Sequence, residues 1–131
     1  SLWIGDKLNL PLFGSCVDYI NCLFITVNPY DTMERMLPKA YCCHFSDDIV
    51  VTDPLGVHII GAPHGQGSMD CPKMVAQIRE KSPMDKIIFE NEIAFKRVDE
   101  PIEEARAREM AACEESIRYL REELKLGLRG R

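Results

Sequence analysis

At 131 residues, with 46% hydrophobic and 28% charged side chains, the chain has the composition of an ordered globular protein with enough length for one core, and one domain at most is expected. A formal net charge of −5 gives no general attraction to phosphate backbones, and the basic tail over residues 127–131, with Arg129 and Arg131, is too short for a nucleic-acid arm. The longest apolar run, residues 22–27, is far below the roughly 20 residues of a membrane span, and no charged leader followed by an apolar segment opens the sequence. The expectation is a soluble, cytoplasmic protein with small-molecule or protein partners, engaging neither nucleic acid nor membrane.

In chain order, PLFGSCVDY reads as a strand ending at Asp18, where the next residues turn toward polar Asn21. A helix is predicted at NPYDTMERML: Asn28 can cap it, Pro29 suits its first position, and Met33, Met36 and Leu37 form an apolar stripe that stops near Pro38. The second strand is AYCCHF. It leads into DIVVTDPLGVHIIGAP, two β-rich runs that form a hairpin about the turn at residues 53–56. After the turn-rich HGQGSMD comes a helix with Asp70 as cap, Pro72 in its first turn, and Met74, Val75 and Ile78 facing inward. KIIFE, residues 86–90, is the third strand. The last element, PIEEARAREMAACEESIRYLREELKL, is an amphipathic helix of about six turns, with Met110, Cys113, Ile117, Leu120 and Leu124 spaced alternately by three and four. Its pattern covers barely two heptads, which favours packing on a sheet over a coiled-coil seam.

The six cysteines, Cys16, Cys22, Cys42, Cys43, Cys71 and Cys113, contain no CxxC pair and mostly sit inside apolar segments, as reduced core thiols do. Strand, helix, strand, helix, strand, helix is the order of a parallel α/β layer with right-handed crossovers. Three parallel strands are too few to close a barrel, and a free parallel edge is unusual without neighbours. Residues outside this chain are expected to complete the fold.

Side chains alternate along a strand, so Cys16 shares a face with Asp18, Cys42 with His44, and Ile88 with Glu90. In a parallel α/β barrel the carboxyl ends of the strands form the mouth of the active site. Asp18, His44 and Glu90 are expected to converge there. Two carboxylates and an imidazole suit a divalent ion such as Mn2+, Mg2+, Co2+ or Zn2+, the oxygen majority favouring the harder ions. Taken singly, each residue has an ordinary reading: Asp18 as a strand-end turn, His44 as a hydrogen-bonded histidine near the surface, Glu90 as a solvated carboxylate. Three on successive strands tip the balance toward a site. A thiolate zinc site would want paired cysteine spacing, and adjacent Cys42 and Cys43 point to opposite faces of one strand, which removes a redox pair.

GSCVDYIN, CCHFSDD, GAPHGQGSMD and KIIFENE, in this order and spacing, resemble the last three strands of the xylose-isomerase-like TIM barrels. That superfamily holds sugar phosphate isomerases and epimerases, ketose 3-epimerases, inosose dehydratases, hydroxypyruvate isomerases and endonuclease IV. The resemblance covers nearly the whole chain. It implies that residues 1–131 are the C-terminal part of a (β/α)8 TIM barrel, its last three βα units, in an oligomer whose N-terminal half lies on another chain or is missing from this sequence.

The resemblance also implies one divalent metal, Mn2+ first, held by a Glu, an Asp, a His and a second Glu from four strands. Asp18, His44 and Glu90 match the last three, and the first Glu would precede residue 1. Gly65, Gly67 and Asp70 match a glycine loop of the family, where His64 replaces a common apolar residue. Ser46 replaces a frequent Lys, and Asp47 matches the second motif's Asp. Asn21, Asp47 and His64 become candidate substrate-binding residues.

The function implied is a metal-dependent isomerase or epimerase of a sugar or related hydroxy-carbonyl compound. In such a reaction the metal binds adjacent substrate oxygens and stabilises an enediolate, while two Glu ligands, Glu90 among them, remove and return the proton. The alternative is a lyase of dehydratase or C-glycoside deglycosidase large-subunit type, sharing the same proton abstraction. Lower stand a noncatalytic half-barrel subunit and an endonuclease IV-like nuclease. The nuclease needs additional histidines, one just after its strand-six Asp, where this chain has Asn21, and only His44, His58 and His64 are present.

Overall fold

The computed structural model describes residues 2–8, 10, 13–23, 28–93 and 96–127. Residues 11 and 12 of the expected first strand, most of the apolar run at 22–27 and all but the start of the basic tail lie outside them. The described elements, in chain order, are α1 (Leu2–Leu8), β1 (Ser15–Asp18), α2 (Tyr19–Leu23), α3 (Pro29–Met36), a 3-10 turn (Leu37–Lys39), β2 (Ala40–Phe45), β3 (Asp48–Asp53), β4 (Gly56–Gly61), α4 (Cys71–Lys81), β5 (Ile88–Phe89) and α5 (Ile102–Glu122). They fall into two compact units, Ser1–Phe45 with Lys73–Glu90, and Ser46–Pro72 with Asn91–Arg131.

In the first unit β1, β2 and β5 form a parallel sheet in the order β1-β2-β5, as the sequence pattern predicts. Val17, Cys43 and Phe45 are all buried, and the alternation of the strands puts Cys16, Asp18, Cys42 and His44 on the opposite, less buried face. α3 starts as expected: Asn28 accepts the Tyr30 N–H at 3.0 Å through its side chain, and Pro29 fills the first helical position. Met33 and Leu37 are fully buried, and Met74, Val75 and Ile78 of α4 are buried too. The polar groups of this interior are matched with partners. The Tyr19 hydroxyl donates to Gln77 Oε1 at 3.1 Å, and Gln77 Nε2 donates to Tyr30 O at 3.1 Å and to Glu34 Oε1 at 2.8 Å.

Four local features differ from the pattern. β1 begins only at Ser15, because the Phe13 N–H turns back to Leu10 O at 3.0 Å instead of extending. Where a polar turn was expected, α2 follows β1 directly, its start closed by the Asn21 N–H donating to Asp18 Oδ1 at 3.1 Å. β5 pairs only over Ile88 and Phe89, although the Glu90 N–H adds a further bond to Phe45 O at 3.1 Å. α1 also had no counterpart in the sequence pattern; its Asp6 pairs with Lys39.

In the second unit β3 and β4 form the expected antiparallel hairpin, with Asp53 opposite Gly56 and Ile49 opposite Ile60. Its turn is held by Asp53 Oδ1, which accepts the Leu55 N–H at 2.7 Å, and by Gly56 at φ 137°, a conformation closed to most side chains. α5 forms as predicted and keeps Leu120 of its expected stripe buried, with Leu124 just beyond its end, but its earlier turns bury other residues. Ala112, Ser116, Leu120 and Leu124 face inward at intervals of four, while Met110 and Ile117 are exposed. The small residues serve a polar role that the hydrophobic period does not reveal: Ser116 Oγ accepts the His64 N–H at 3.0 Å.

Candidate metal centre

The carboxyl end of the parallel sheet carries the three expected residues. Asp18 ends β1, His44 is the next-to-last residue of β2, and Glu90 directly follows β5. Asp18 lies opposite His44 in register, and His44 opposite Ile88, so Asp18 and His44 share one level of one face and Glu90, two residues beyond Ile88, follows one layer further toward the carboxyl end. Their ligand-type atoms all lie within 4.8 Å of one another. His44 Nδ1 stands 3.1 Å from Glu90 Oε2, and the two side chains are 37% and 32% exposed, open enough for a small solute to reach.

This donor set fits a divalent cation. Two ligands held at about 2.1 Å and a right angle stand about 3.0 Å apart, and the His44–Glu90 separation of 3.1 Å is of that size. The same separation also serves a hydrogen bond between them. Asp18 is held by Asn21, whose backbone N–H reaches Oδ1 at 3.1 Å and whose Nδ2 reaches Oδ2 at 2.5 Å. Below this level lie Cys16 and Cys42, which are register partners. Desolvation of its sulfur, then hydrogen bonding to Cys42, push the Cys16 thiol up to about 11. On the covered face, burial pushes the Cys43 thiol up to about 12, and it donates to His44 O at 3.1 Å. None of the six cysteines, all among the described residues, forms a disulfide; Cys22, Cys43 and Cys71 are buried and Cys16 is exposed.

Of the other candidates, Asn21 stands beside Asp18, whereas Asp47 and His64 belong to the second unit. Asp47 is 1% exposed, and its carboxylate accepts the N–H groups of Gly65 and Gly67 at 2.9 Å each and of Met69 at 3.0 Å. A Cβ on Gly67 would run into Asp47 Oδ1, and Gly65 has φ 85°, so the glycines are what let this loop wrap the carboxylate. His64, also 1% exposed, is followed by this loop. Its backbone bond to Ser116 continues from the Ser116 hydroxyl to Asn91 Oδ1 at 3.4 Å, and from Asn91 Nδ2 to Cys113 Sγ at 3.2 Å.

Sequence reasoning missed Asn91 and Ser116. The available signal was a serine on the small-residue side of an amphipathic helix, too weak to single out. For Asp47 the signal was stronger: a loop with two glycines two apart presents N–H groups that need an acceptor.

No helix among the described residues is long and apolar enough to cross a membrane. Comparison of the chain with protein-family models, with curated proteins and with solved structures returned no significant match to any of them.

Proposed function

We propose that this chain supplies the carboxyl-terminal strands of a divalent-metal-dependent isomerase or epimerase acting on a sugar or related hydroxy-carbonyl compound. The observation that carries the reading is the meeting of Asp18, His44 and Glu90 at the carboxyl ends of three parallel strands, with ligand atoms within 4.8 Å of one another. That end of a parallel barrel is where active sites are built. Three strands do not close a barrel, and the face bearing the triad leaves Cys16 exposed and Ile88 46% exposed. The reading therefore includes further strands, from another chain or from other residues of the same protein, and a fourth carboxylate carried by them.

Asp18, His44 and Glu90 would hold the cation, Mn2+ first, with Mg2+, Co2+ or Zn2+ as other ions of suitable chemistry. Its contribution when bound is to stabilise negative charge developing on two neighbouring substrate oxygens. Glu90, as a carboxylate, is one of two Glu residues that remove and return the carbon-bound proton: in an isomerase it returns to the neighbouring carbon while the hydroxyl proton passes to the former carbonyl oxygen, and in an epimerase it returns to the opposite face of the same carbon, so no atoms are lost. Asp18 and His44 orient and bind, with no proton to move.

The test is a Mn2+ titration of the metal-stripped complete barrel assembly, followed by the electron paramagnetic resonance signal of the free ion. One Mn2+ site that is lost in His44→Ala supports the reading. No binding by the wild-type assembly, or binding unchanged by His44→Ala, overturns it.

A further inference from the structure

We infer that Asn21 is a positioning residue for Asp18, and that by fixing the plane of this carboxylate it sets a preference for small cations over Ca2+; this rests on the metal-dependent reading above. Asn21 lies in the first turn of α2 and donates twice, from its backbone N–H to Oδ1 at 3.1 Å and from Nδ2 to Oδ2 at 2.5 Å. The two bonds land on different oxygens. Rotation of the Asp18 carboxylate about its Cβ–Cγ bond therefore breaks both. His44 and Glu90 engage one another at 3.1 Å, whereas Asp18 is held by Asn21, a side chain outside the triad.

Donors that hold a ligand from behind fix its geometry and tune affinity. Small cations of the Mg2+ type demand near-octahedral coordination at short distances, whereas Ca2+ takes six to eight oxygens in a flexible shell and accepts carboxylates through one oxygen or two. A carboxylate held in one plane favours the demanding ion. Once freed, Asp18 can turn to chelate through both oxygens, and the flexible ion gains most.

The same two bonds also close the first turn of α2, an ordinary capping role. Loss of a cap lowers stability without telling one cation from another. Loss of positioning changes the ratio of two affinities, and that ratio is the discriminating measurement.

The experiment titrates the complete barrel assembly with Mn2+, reading free Mn2+ by its paramagnetic resonance signal, and repeats the titration with Ca2+ as competitor. In Asn21→Ala, with circular dichroism unchanged, Mn2+ affinity is expected to fall about tenfold and the Mn2+ to Ca2+ affinity ratio to fall with it. Unchanged Mn2+ affinity, or equal losses for both ions, overturns the inference and leaves Asn21 as a cap. If Asn21→Ala does not fold, Asn21→Gln, one methylene longer, is read in the same way: a displaced amide lowers the ratio, and an unchanged ratio counts against positioning. A wild-type assembly that binds no Mn2+ overturns the metal-dependent reading itself, an outcome distinct from both.

Discussion

Glu90 has two duties in the proposed chemistry, holding the cation and moving a proton, and substitution can separate them. Glu90→Gln keeps an oxygen for the cation but removes the group that accepts a proton. In the complete barrel assembly its turnover is expected to drop by about a hundredfold or more, while bound Mn2+ measured by elemental analysis falls far less. His44→Ala should show the reverse emphasis, losing metal first. Retained turnover in Glu90→Gln with full metal would exclude the proton-transfer role.

The buried thiols make a second residue-scale prediction. Burial, then the nearby carboxylates of Asp18 and Asp47 respectively, push the Cys43 and Cys71 thiols from 9.0 up to about 12. Between those values the folded chain keeps protons that the unfolded chain has lost. This contribution to stability is fully present below about pH 9 and declines as pH rises toward about 12. Urea midpoints measured from pH 8 to 11 should fall, and Cys43→Ala with Cys71→Ala should flatten that slope. Tyr19, also pushed up by burial, leaves a residual decline at the alkaline end.

At the scale of elements, the loop between β4 and α4 is organised by one carboxylate. Asp47→Ala removes the acceptor of three backbone N–H groups, each worth about 1–3 kcal/mol when left unsatisfied, so a loss of about 3 kcal/mol or more is expected from chemical denaturation. Hydrogen exchange should show the Gly65, Gly67 and Met69 amides losing protection before those of α4. Normal protection at these three amides in the variant would contradict the account.

Elements with a local signal were legible in the sequence: Asn28-Pro29 opens α3 as predicted, Met74, Val75 and Ile78 of α4 face inward, and alternation along β1 and β2 brings Asp18 and His44 to one face. What escaped depends on geometry that a pattern does not carry. α2 is five residues long, too short for a hydrophobic period, and owes its start to the Asp18–Asn21 bonds. On α5 the apolar period points to Met110 and Ile117, yet the buried side carries Ala112 and Ser116, because small residues allow close approach and Ser116 satisfies a backbone donor. Asp47 reads equally well as a loop ligand for substrate or for backbone, and only the three N–H distances show the second engagement.

For the whole molecule, the parallel sheet of the first unit has three strands among the described residues, with β1 and β5 at its edges, and Ile88 and Cys16 exposed on the face that bears the triad. Parallel sheets are ordinarily covered on both faces. Elsewhere Leu55 at the hairpin tip is 90% exposed and Val98 is 93% exposed. Under the proposed completion of the barrel, the chain on its own should associate with concentration and melt over a broad range, and partner strands should sharpen the transition. Analytical ultracentrifugation over a dilution series, paired with calorimetry, checks this. A concentration-independent monomer with one sharp transition would tell against completion by outside strands.

The pairing of Cys16 with Cys42 gives the sheet a built-in chemical ruler. Neighbouring strands run about 4.8 Å apart, so two thiols in register on one face can be bridged by a short bifunctional thiol reagent. A slip of one residue would set Cys16 opposite Cys43, whose side chain points to the covered side, and bridging would fail. Peptide mapping of the bridged product therefore reads the alignment of β1 with β2 from mass alone, in dilute solution, at a point one layer below Asp18 and His44.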